Sequence, residues 1–136
     1  TIGHQPLAQL LKLTAERAAE LACESTPPKD AYRVEGLANI LWSYTVMEYN
    51  PGLPCLKPLA DAVERNIHFF YPQGLSMTMR SFATFGFVPG PRLVELLEHR
   101  ILETLEGFNS QGVCNVLSAY ATFSTLGVKV PRTLLD

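Results

Sequence analysis

Between residues 35 and 49 the apolar side chains fall at Leu37, Ile40, Leu41, Tyr44 and Met47. Steps of three and four put them on one side of an α-helix. Pro51-Gly52 follows and predicts the end of that helix. Leu59, Val63 and Ile67 recur at steps of four and predict a second helix over about 56–69. Pro58 is tolerated only in a first turn, so this helix is expected to begin near Lys57. The two-helix pattern returns at 73–87 and 92–106, the latter with Leu93, Leu96, Leu97, Ile101 and Leu105 as its buried stripe. It starts a third time at 111–125, with a further helix expected from Pro131. An N-terminal helix is predicted over about Pro6 to Ala22. Its "PLAQ" echoes "PLAD" at 58–61, so it reads as the second helix of a preceding unit.

These segments are copies. Glu35-Gly36-Leu37 aligns with Gln73-Gly74-Leu75 and Gln111-Gly112-Val113, each 38 residues after the last. Pro51-Gly52 falls on Pro89-Gly90, and Tyr32 on Phe70 and Phe108. A period of this length is the signature of stacked helical repeats. The expected fold is all-α, an α-solenoid of helix-turn-helix repeats with a 38-residue period. It divides into a partial preceding repeat (1–29), repeats at 30–67 and 68–105, and an incomplete repeat at 106–136. A repeat cannot bury its apolar face alone, so the chain is expected to belong to a longer solenoid or to lean on a partner.

On a helical wheel the first helix of each unit has two faces. The columns Leu37/Leu75/Val113, Leu41/Met79/Leu117, Tyr44/Phe82/Tyr120 and Met47/Phe85/Phe123 stay apolar or nearly so and are expected to be buried. Opposite them the columns drift: Glu35/Gln73/Gln111, Asn39/Met77/Asn115, Trp42/Arg80/Ser118 and Val46/Thr84/Thr122. Small flanking residues (Ala38/Ser76/Cys114, Ser43/Ser81/Ala119, Thr45/Ala83/Ala121) would let equivalent helices stack closely into one wall. The second helices carry Glu95, Glu98, His99, Arg100, Glu103 and Glu106, and read as an outer, solvated wall. The open face of the first wall supplies the candidate binding residues. They are Gln73, Gln111, Asn39 and Trp42, with Met77, Arg80, Asn115 and Ser118. Amides pair with base edges, and aromatic or guanidinium planes stack on bases, as in helical repeats that read RNA. Ordinary exposed positions, or contacts to another protein, are the plainer readings of the same stripe.

Composition narrows the classes. The chain has 136 residues, 47% hydrophobic and 18% charged, which is globular. A net charge of −2 lacks the strongly basic balance of a bulk phosphate binder. Cys23, Cys55 and Cys114 are far apart and form no CxxC pair, so neither a disulfide framework nor a zinc site is expected, and a reducing compartment fits. No apolar run is long enough to cross a membrane. His4, His68 and His99 fall in different repeat columns. Ser43, Ser81 and Ser118 have no base nearby in sequence, and Gly86 and Gly90 read as helix-end glycines. No catalytic residue, metal ligand, cofactor or small-molecule substrate is expected, and the chain is not read as an enzyme.

The stretches "YRVEGLANILWSYTVMEYNPG" (32–52), "FYPQGLSMTMRSFATFGFVPG" (70–90) and "GFNSQGVCNVLSAYATFSTLG" (107–127) resemble the octotricopeptide repeat, a degenerate 38-residue repeat with a "PQxLANxLWAxAxLG" core. The resemblance covers about residues 30–136. Asn39 and Asn115 keep the core asparagine where the middle copy has Met77, and only Trp42 keeps the tryptophan. That family is an α-solenoid of green-algal organelles, where its members bind organellar transcripts or hold ribosomal RNA in mitochondrial ribosomes. The resemblance implies RNA, ribosomal or messenger, and other proteins of a larger complex as partners. It implies the mitochondrion, or alternatively the chloroplast, as the location.

Overall fold

The computed structural model describes residues 4–23 and 32–126, and the side chains of 6–23 and 34–126. The described residues form six α-helices: α1 (His4–Ala22), α2 (Tyr32–Val46), α3 (Leu53–Arg65), α4 (Pro72–Thr84), α5 (Pro91–Glu103) and α6 (Ser110–Thr125). Short 3-10 turns at Ile67–Phe69 and Leu105–Gly107 lead into α4 and α6. There is no strand among the described residues, and the chain is all-α. None of the described helices is long and apolar enough to cross a membrane.

The helices form two layers. In the first, α4 packs between α2 and α6; in the second, α1 packs on α3 and α3 on α5. The core lies between the layers, where Leu41, Leu59, Val63, Phe70, Leu75, Met79 and Phe82 are fully buried. Small residues occupy the seams within the first layer. Ala38, Ser76, Ser81 and Ala119 are buried there, whereas Ser43 and Cys114, at the two ends of the layer, are exposed.

The helix boundaries differ from the expected ones for identifiable reasons. The first helices stop at Val46 and Thr84, before Pro51-Gly52 and Pro89-Gly90. What stops them is a left-handed residue, Glu48 (φ 55°) in one copy and Gly86 (φ 66°) in the other. Around each, the amide three residues past the helix turns back: Tyr49 N–H donates to the Tyr44 carbonyl at 2.9 Å, and Phe87 N–H to the Phe82 carbonyl at 2.8 Å. The rings of the same residues meet, at 5.5 Å for Tyr44–Tyr49 and 5.1 Å for Phe82–Phe87. This is a Schellman cap with its apolar contact. It leaves Met47 outside the helix and exposed, not in the buried stripe.

The α3 helix begins at Leu53, four residues ahead of Lys57, with Pro54 in its first turn. Pro58 is therefore inside the helix rather than at its start. Both outer helices then tighten: α3 ends at Arg65 and α5 at Glu103, and the residues expected to extend them fold into the 3-10 turns. Leu105 is exposed there as a result. Gly90 is a helix-end glycine at the entry of α5, not at the end of α4. Glu98, expected on the solvated face, is buried. Beside it is the hydroxyl of Tyr120, whose pKa is raised by burial and secondarily by that carboxylate.

The third copy departs most. Val113 and Leu117 are exposed, at 41% and 64%, although their counterparts Leu75 and Met79 have no exposure. Nothing among the described residues covers that side of α6. The helix expected from Pro131 lies outside the described residues.

The motif glycine has a packing reason. A Cβ on Gly74 would stand 3.3 Å from the Phe70 ring, and one on Gly112 would stand 3.0 Å from the Phe108 ring. The aromatic residue four positions earlier lies across the start of the helix, so the pair Phe-x-x-x-Gly recurs as a unit.

Candidate binding groove

A cavity of about 480 Å³ opens between the C-terminal half of α2 and the N-terminal halves of α4 and α6. Trp42 enters it from α2. Gln73, Ser76 and Met77 line it from α4, with Pro72 at the helix start. The third wall is the lead into α6, with Gly107, Phe108 and Asn109, and then Gln111, Gly112 and Asn115 on the helix itself. None of these lining residues carries a formal charge.

Five of the eight candidate residues therefore share one groove: Trp42, Gln73, Met77, Gln111 and Asn115. Gln73 and Gln111 are exposed, and Trp42 and Met77 are partly so. Asn115 is buried, at 7% exposure, which corrects its placement on an open face. The cause is α4, which packs against α6. From α4, Arg80 reaches across and donates from Nη1 to Asn115 Oδ1 at 3.0 Å. Arg80 is itself exposed and is not part of the lining. Asn39 and Ser118 are exposed but do not line the groove.

The connection into α6 forms a wall of the groove that helical periodicity within a single helix does not encode. Asn109 is its clearest member. It is the N-cap of α6, and its Oδ1 accepts from Gly112 N–H at 2.8 Å. The sequence carried that signal, since asparagine just ahead of a helix is a preferred cap. Gly107 belongs to the same wall, where a Cβ would press on the Pro72 ring at 3.0 Å. Ser76 turns its hydroxyl inward, donating to the Gln73 carbonyl at 3.0 Å.

The groove offers one indole, one thioether and several carboxamides, which suits recognition of a flat polar ligand by stacking and hydrogen bonding. It holds no nucleophile–base pair. Among the described residues there is no group of three or more His, Cys, Asp or Glu placed to hold a metal ion. Cys55 is buried away from the groove, and burial pushes its thiol up to about 11. Comparison of the chain with known families, with curated proteins and with solved structures finds no match.

Proposed function

We propose that this chain is a segment of an α-solenoid of 38-residue repeats that binds single-stranded RNA in the groove of its first-layer helices. The observation that carries the reading is the convergence of Trp42, Gln73, Met77, Gln111 and Asn115 on one cavity. Single-stranded RNA is read through unstacked bases that stack on aromatic planes and pair with amides. The spacing of the elements supports the repeat, since α5 begins 38 residues after α3 and α6 begins 38 residues after α4. The resemblance to the octotricopeptide repeat adds the setting: a mitochondrial ribosome or other organellar ribonucleoprotein, with ribosomal RNA as the target. A factor acting on organellar transcripts would use the same groove.

The test is crosslinking to single-stranded RNA by the chain and by a triple variant, Trp42→Ala, Gln73→Ala, Gln111→Ala. The last two positions are exposed, so helicity should survive. The expected result is loss of crosslinking with an unchanged circular dichroism spectrum; undiminished crosslinking overturns the reading. The lining is uncharged, so binding should weaken only shallowly with salt. A protein-binding scaffold is the second reading, favoured by the exposed apolar side of α6 at Val113 and Leu117. Mutation of those two residues, rather than of the groove, would then abolish partner capture.

A further inference from the structure

The two asparagines of the groove are locked in one orientation. Asn115 Oδ1 accepts from Arg80 Nη1, and a guanidinium only donates. That atom must be the oxygen, so the amide cannot flip. Asn109 Oδ1 accepts from the backbone N–H of Gly112, another group that only donates. In both residues the oxygen is spent on the protein. Neither Nδ2 has a hydrogen-bond partner among the described residues, and both residues line the groove. For Asn115 the residue is 7% exposed, yet its Nδ2 is not among the buried unpartnered atoms, so this donor opens onto the groove and is available to a ligand.

Two fixed donors ask for a ligand with two acceptors. Guanine presents O6 and N7 side by side, whereas adenine sets its N6 amino donor beside N7. We propose that the groove takes one unstacked purine with a carbonyl at C6, stacked on Trp42 and held by the Asn109 and Asn115 amides, in preference to adenine. This rests on the RNA reading and narrows it to a class of base. Gln73 and Gln111 are exposed and free to turn either amide end toward the ligand, so they add affinity without setting the choice.

Trp42 is the only tryptophan of the chain, so its emission reports occupancy. The probe is an adenylate octamer, and the same octamer with one central adenine replaced by hypoxanthine, which changes the N6 donor into an O6 acceptor on the same ring frame. The expected result is quenching by both, with the hypoxanthine octamer bound about tenfold more tightly. Asn109→Asp keeps the cap, since aspartate caps as well as asparagine, but replaces the donor with an acceptor. It should erase the preference, as should Asn115→Asp, whose carboxylate keeps Arg80 as partner. Equal binding of the two octamers, or a preference that survives both variants, overturns this inference alone. No quenching by either octamer, together with no crosslinking, overturns it along with the RNA reading.

Discussion

Helices α4 and α6 carry the same motif and meet different fates. In α4, Leu75, Met79 and Phe82 have no exposure, and Ser76 and Ser81 are sealed in the seams on its two sides. In α6, Ala119, Tyr120 and Phe123 are buried, yet Val113, Cys114 and Leu117 face outward. The difference is the neighbour. α4 has a helix on both sides in its layer, while the described residues give α6 one only on the α4 side. An apolar column in a repeat states where a neighbour would sit; it does not state that the neighbour is there.

The comparison breaks first at its apolar columns. Met79→Ala should cost about 3 kcal/mol, the usual toll of truncating a fully buried side chain, read as a lowered denaturant midpoint. Leu117→Ala, its counterpart in the third copy, should cost less than ~0.5 kcal/mol, as exposed sites do. Equal losses would show that the α6 side is covered in solution.

The caps come next, and here the sign reverses between copies. Gly86→Ala puts a Cβ on a left-handed residue and should destabilise by ~1 kcal/mol. Glu48→Gly removes that strain from the first copy, partly offset by glycine's greater freedom in the unfolded chain, and should stabilise by ~0.5 kcal/mol. Thermal melts of the two variants should move in opposite directions.

The tyrosine column gives a comparable contrast. Tyr44 and Thr14 hydroxyls are 2.8 Å apart, tying α2 to α1, so Tyr44→Phe should cost ~1 kcal/mol. The buried Tyr120 hydroxyl has no partner among the described residues. Tyr120→Phe should be neutral or slightly stabilising by the same chemical melt, since an unsatisfied buried hydroxyl is removed.

Cysteine labelling is the gentlest probe. Cys114, exposed on α6, should react with a disulfide reagent at neutral pH. Cys55 is buried, and its thiol is raised from 9.0 to about 11. It should stay protected until the chain unfolds. Because its folded value is the higher one, the stability it contributes is complete below pH 9 and is lost as pH rises through about 11. Protection of Cys114 would again mean that the outer side of α6 is covered.

How much of this was legible is best seen residue by residue. The drifting columns led to Trp42, Gln73, Met77 and Gln111 because helical period alone decides which side of a helix a residue occupies. The seams were legible too, since only small side chains permit close helix stacking. The boundaries were not. Glu48 gives no hint in sequence that it stands in for Gly86, and Pro51-Gly52 looked like the stronger stop. Asn115 was misplaced because a wheel knows nothing of the neighbouring helix that covers it. Asn109 lies ahead of the helix, where helical period carries no information about facing.

The groove draws one wall from α2 and another from α6, with α4 lying between them. An occupant that touches both Trp42 and Asn115 is a strut across three helices. Any change in the spacing of these helices changes the distance that the strut must span. Under the proposed function, occupancy and the spacing of the three helices would be mechanically linked: spreading α2 from α6 would loosen the ligand, and the ligand would stiffen the three helices like a wedge driven into a hinge.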